Sequence, residues 1–178
     1  MPLTVEDILA AASDESLFKV LTGALTEAMP SKLQSDLDQF VEKLKGLSPG
    51  LRAMAATFQF DVSMCLDDLG WHFANWHHHP YCRETSRGLR VLGATEVGEL
   101  FDRGYGMVLP HWDSISKLLA TDFKEFVQWY NFSDVEKSLD PLNERLWAIR
   151  DNSREFGLMQ FWLDYARNFP ERVADGAG

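Results

Sequence analysis

The sequence predicts an all-α fold, a single multi-helix domain around one long central helix. Apolar residues recur at three- and four-residue spacing along most of the chain. Ser, Thr and Asp stand ahead of those runs, often with Asp, Glu or Gln three residues on, as at helix starts. No stretch alternates apolar and polar residues as a half-buried strand would. The 178 residues suffice for one core without staples, and six Trp and twelve Phe make that core bulky and aromatic.

Thr4 and Asp7 open a short helix carrying Val5, Ile8 and Leu9. Asp14 precedes a second, with Leu17, Val20, Leu21, Ala24 and Leu25 at helical spacing. Past Pro30, Ser31 and Gln34 form a capping box for Leu33, Leu37, Phe40, Val41, Leu44 and Leu47, which end at Ser48-Pro49-Gly50. The longest segment follows. Leu51, Ala55, Phe58, Val62, Cys65, Leu69 and Phe73 trace one stripe, with Met54, Leu66 and Trp76 beside it. One helix over 51–76 would be about 39 Å long at ~1.5 Å per residue, with Pro80 as its stop. Residues 86–94 read as a short helix broken at Gly93, and Thr95 caps the next, which carries Val97, Leu100, Phe101, Tyr105 and Val108 and closes at Pro110. Asp122 with Glu125 and Ser133 with Glu136 are further starts. Asp140-Pro141 reads as a cap followed by proline at the first helical position, before Leu142, Leu146 and Ile149. The last helix carries Phe156, Met159, Leu163 and Ala166 and stops at Pro170. The domain is expected to span 1–173, with 174–178 a frayed tail.

The net charge is −10 and the pI near 4.9, which disfavours direct binding to nucleic acid and favours a basic partner. No apolar run approaches the ~20 residues of a membrane span, and the N-terminus lacks the basic and apolar regions of a signal peptide. A cytoplasmic protein with Cys65 and Cys82 reduced is expected. The first 70 residues hold eleven Asp and Glu against five Lys and Arg, while Arg83, Arg87 and Arg90 cluster later.

Two stretches, LGWHFANW at 69–76 and GLRVLGATEVGELFDRGY at 88–105, resemble the bacterial DNA-mimic protein family, all-helical proteins sharing a domain of otherwise unknown function. The matching positions are Gly70, Trp71, Phe73 and Asn75, then Leu89, Leu92, Gly93, Ala94, Leu100 and Phe101. The chain departs from the pattern in carrying Asp68-Leu69-Gly70 instead of a doubled glycine, and in its histidine run. The resemblance implies an acidic helical protein that occupies the DNA-binding surface of a basic protein. No cofactor is expected. Duplex DNA carries one charge per ~1.7 Å, so ten excess charges match only about 17 Å of duplex, and only if they cluster. The candidate partner-binding carboxylates are Asp36, Asp38 and Glu42, Asp61 and Asp68 on the long helix, and Glu96, Glu99 and Asp102. Self-association as a homodimer and an immunity-type inhibitor of a basic toxin stay open as alternatives.

NWHHHPYC, residues 75–82, raises a further alternative, a metal-dependent enzyme with His72, His77, His79 and Cys82 as ligands. A zinc site needs three or four convergent ligands, and consecutive histidines point to different sides. The spacing favours an exposed connection instead, with Trp76 turned inward and at least two of His77, His78 and His79 in solvent. No nucleophile elbow, phosphate loop or HExxH occurs, and catalysis has no clear candidate residue.

Overall fold

The computed structural model describes residues 2–174, the side chain of Arg154 excepted. The observed class is all-α, with no strand among the described residues. The α-helices are α1 (Val5–Ala10), α2 (Asp14–Ala28), α3 (Leu37–Leu44), α4 (Pro49–Leu66), α5 (Leu69–Asn75), α6 (His79–Val91), α7 (Thr95–Val108), α8 (Trp112–Thr121), α9 (Phe123–Asn131), α10 (Asp134–Asn152) and α11 (Gln160–Asn168), with 3-10 turns between several of them. None is long and apolar enough to cross a membrane. Of the expected tail, Ala174 is buried and 175–178 lie outside the described residues.

Capping explains most boundaries. Thr4 caps α1 through a reciprocal box with Asp7, Asp36 caps α3 and Ser133 caps α10. The box expected at Ser31 is instead a 3-10 turn over Ser31–Ser35, and Thr95 is the first residue of α7 rather than its cap. The segment 112–121, in which sequence reading placed no helix, forms α8.

The long central helix is shorter than expected. It is broken after Leu66, because Asp68 turns its carboxylate to accept the Trp71 N–H and so begins α5. The Asn143 carboxamide accepts the Leu69 N–H at 3.1 Å, and the Tyr130 hydroxyl donates to Asp68 at 3.0 Å. Pro80 is therefore not a stop. The helix has already ended at Asn75, and Pro80 occupies the first turn of α6, where its missing N–H costs nothing. Pro141, in contrast, starts nothing. It sits inside α10, where burial of Leu139, Leu142 and Leu146 offsets the lost hydrogen bond.

Helix α4 is buried nearly all round, including Leu51, Met54, Ala56, Phe60 and Met64. The predicted stripe is only part of that surface: Phe58 and Val62 are half-buried and Cys65 is exposed. One end of α4 packs with α1, α2, α3 and α11 in a first core cluster, and the other joins α5 to α10 in a second. Arg52 on α4 grips Glu84 on α6 through two hydrogen bonds of 2.8 and 2.7 Å.

Where α5 begins, the Tyr130 ring lies directly over Gly70, and a Cβ there would come within 2.1 Å of it. Gly70→Ala is expected to displace that ring and its bond to Asp68, lowering stability by about 1–3 kcal/mol in urea unfolding. In a Tyr130→Ala background the same change should be neutral or stabilising, because alanine is the better helix former. A loss of equal size in both backgrounds would show that the ring is not the obstacle.

Candidate partner-binding surface

The eight carboxylates singled out from sequence are not brought together as one free patch. Asp61 is 5% exposed and points inward, its Oδ1 accepting the Leu158 N–H at 2.8 Å. Burial raises its pKa above the ordinary value, opposed by that hydrogen bond and by nearby Arg150. Asp68 is half-buried and serves the α5 cap, and burial raises its pKa too, against the hydrogen bonds it accepts. Asp61 is thus a structural group inside the fold, whereas Asp68 combines its capping role with a partly open position at the surface. The other six stand on α3, its cap and α7, two helices that flank α6. Arg83, Arg87 and Arg90 are exposed on that α6. Glu42 pairs with Lys45, Glu96 with Arg145 and Asp102 with Arg90, while Asp38 meets His78 Nε2 at 3.0 Å. Asp36 caps α3, and Glu99 is exposed.

A different acidic row emerges on α10. Glu136, Asp140, Glu144 and Asp151, with Trp147 among them, fall on one face by their three- and four-residue spacing. Asp140, Glu144 and Asp151 are exposed and Glu136 half-buried. Among the described residues, Asp151 alone of the four has an ion pair, with Arg150 at 3.8 Å. The row runs beside the α4–α5 break. Trp147 Nε1 donates to the Asp67 carbonyl at 3.2 Å, and Asp67, Asp68, Trp147 and Asp151 line one open groove with Leu66. The charges of Asp68, Glu136 and Asp140 all act on the Tyr130 hydroxyl, whose pKa burial and those carboxylates raise. Tertiary structure thus adds Asp67 and Asp68 to the α10 row. The repeat at 136, 140 and 144 is visible in the sequence, but Pro141 reads there as a helix start and divides it.

The motif residues position these elements. Gly70 admits Tyr130, Trp71 packs edge-on against Phe126 and Tyr130, and Phe73 is fully buried. Asn75 ends α5, exposed, and Gly93 makes the turn between α6 and α7 at φ 76°.

The histidines are structural. All three of the run are half-buried rather than free in solvent. His77 and His79 stack on Trp112 at 3.8 and 4.2 Å, too close for two imidazoles to share one face, so the indole lies between them. His77 Nδ1 lies 3.1 Å from the Phe73 carbonyl, and its Nε2 is 2.7 Å from Ser116 Oγ. Burial lowers the His77 pKa, with the neighbouring His79 adding to it and the Phe73 and Trp112 carbonyls and Asp113 opposing. His78 accepts the Tyr81 N–H to cap α6, and His79 bonds the Tyr105 hydroxyl. The aromatic demand of Trp112 is what overrides the expected exposure, while Trp76 turns inward beside Tyr81 at 5.4 Å.

The metal alternative fails on geometry: no three His, Cys, Asp or Glu side chains among the described residues are grouped to hold an ion. His72 Nδ1 bonds Ser63 Oγ at 3.0 Å, and the Cys82 thiol points to the Trp76 carbonyl at 3.8 Å. Burial pushes that thiol up to about 12, so no thiolate nucleophile forms near neutrality.

A family model described as DMP19-like protein matches residues 45–168, more than two thirds of the chain. No curated protein and no solved structure gives a significant match.

His72 carries a testable consequence. It is fully buried among Phe60, Phe73 and Phe101, with Nε2 unbonded, and burial lowers its pKa from 6.5 to about 3. The folded chain therefore refuses a proton that the unfolded chain accepts. The effect on stability is absent above pH ~6.5, and between there and ~3 stability falls by up to about 1.4 kcal/mol per pH unit. Unfolding free energies at pH 7, 6 and 5 should decline accordingly, and His72→Phe should flatten that decline. An unchanged slope in His72→Phe would assign the acid loss to other groups.

Proposed function

The chain belongs to the DMP19-like family, a family of DNA-mimic proteins, and on that premise we propose that it captures a basic partner, a DNA-binding protein, by offering carboxylates in place of phosphates. The observation that carries the reading is the row on α10. Glu136 to Asp151 spans about 22 Å at ~1.5 Å per residue. One DNA strand carries a phosphate per ~3.4 Å of axis, or six to seven over that length. The four row carboxylates with Asp67 and Asp68 make six. The surface supports mimicry of one strand rather than a whole duplex.

Carboxylates that are mostly exposed and, among the described residues, mostly without an ion pair suit this role. They keep their counterions until a partner's arginines and lysines displace them, which gives fast, salt-dependent association. Trp147, 38% exposed between Asp67 and Asp151, adds an aromatic face on which a guanidinium can rest. The acids of α3 and α7 are secondary in this reading, since most already meet a cation or histidine within the chain.

The test is capture of DNA-binding proteins from an extract of the native host on immobilised chain, with elution by duplex DNA. Bound protein should be displaced by DNA, and affinity should fall steeply and linearly on a log–log salt plot. Glu136→Gln, Asp140→Asn, Glu144→Gln and Asp151→Asn together should weaken capture at least tenfold. Neutralising Asp36, Glu42 and Glu99 should change it much less. Capture indifferent to DNA, or equal loss from both sets, would refute the assignment to α10.

A further inference from the structure

Between α2, α3 and α4 lies a cavity of about 180 Å3, remote in sequence from the carboxylates of α10. Leu25, Met29, Phe40 and Phe58 form its apolar walls, and no charged side chain lines it. In a chain of net charge −10 this is a neutral compartment. Apolar cavities of about 150 Å3 hold a benzene ring, so this one accommodates a single ring and a small substituent.

One buried polar residue in the wall keeps its side chain free of partners among the described residues. Gln59 on α4 is only 9% exposed and lines the cavity. Its backbone carbonyl accepts the Ser63 hydroxyl at 2.8 Å, but its carboxamide makes no hydrogen bond with any described group. The other buried polar side chains of α4 are all partnered: Thr57 by Trp162, Asp61 by Leu158 and Ser63 by His72. The carboxamide nitrogen and oxygen are not sealed off by protein, so they open on the cavity space, and a ligand there can take them up without breaking a hydrogen bond within the chain. The carboxamide offers a donor and an acceptor side by side, which fits a second amide edge.

We propose that this cavity binds a neutral single-ring molecule bearing a carboxamide-type edge, an aromatic amide or a lactam, with the ring against Phe40 and Phe58 and the edge paired to Gln59. The site is independent of the carboxylate surface, and its occupancy ties α2 and α3 to α4. An anionic ligand is excluded by the absence of any cation in the wall and a cationic one by the absence of any carboxylate.

Benzamide is the probe, with toluene and benzoate as controls of similar size. Benzamide is expected to raise the melting temperature and to shift the backbone amide resonances of Phe58 and Gln59, while benzoate does neither. Gln59→Leu should weaken benzamide roughly tenfold and leave toluene as tight or tighter, the size of one lost hydrogen-bonded pair. Ala55→Met, which extends a side chain into the cavity, should abolish both. The resonance shifts are read in the unaltered chain, so the result does not rest on a variant folding. Absence of benzamide shifts, shifts located elsewhere, or equal benzamide affinity in Gln59→Leu would overturn the proposal.

Discussion

Helix α4 meets protein on nearly every side, and that one constraint arranges the rest. A helix buried all round must have its polar side chains answered by neighbours. Thr57 draws in the Trp162 indole of α11, Asp61 fixes the turn before α11 through the Leu158 N–H, and Ser63 holds His72 of α5. Helix α6 closes another side, with the Tyr81 and Thr85 hydroxyls both donating to the Ala56 carbonyl. Each such bond is worth about a kilocalorie per mole net, but leaving its buried partner unmade costs more, so these contacts select the arrangement of helices.

The break between α4 and α5 links this core to the surface. Asp68 ends the reach of α4, caps α5 and receives Tyr130 from α9, while Asn143 of α10 accepts the Leu69 N–H. Four elements are thereby joined at one point. The same joint sets Asp67 and Asp68 beside the acidic face of α10. The charge that serves the proposed capture of a basic partner is therefore assembled by a structural device, and half-burial of Asp68 is the cost of that economy.

Much of the architecture is legible in the residues. The box at Thr4, the cap at Ser133, the apolar spacing of α2 and α7, and the turn at Gly93 depend on groups within four or five positions of each other, and they read correctly, whereas Phe156 and Met159, read as part of the last helix, lie in a 3-10 segment ahead of α11. The break at Asp67-Asp68 does not, because the stripe from Leu51 to Phe73 keeps helical spacing through it and the groups that stabilise the break come from Tyr130 and Asn143, more than sixty residues away. The histidine run misleads for a related reason. Polar residues around a proline suggest an exposed loop, but a distant indole, Trp112, stacks between two of them.

By itself the sequence determined the helical class, several of the helix caps and an acidic molecule with a DNA-mimic resemblance, since helix formation depends on near neighbours and net charge on composition alone. Only the tertiary structure decided which acids are surface and which are scaffold. Asp61 and Asp140 are the same letter. One is buried against a backbone N–H contributed 97 positions later, and the other faces water, because burial and charge pairing depend on which helix faces meet, not on spacing along any one of them.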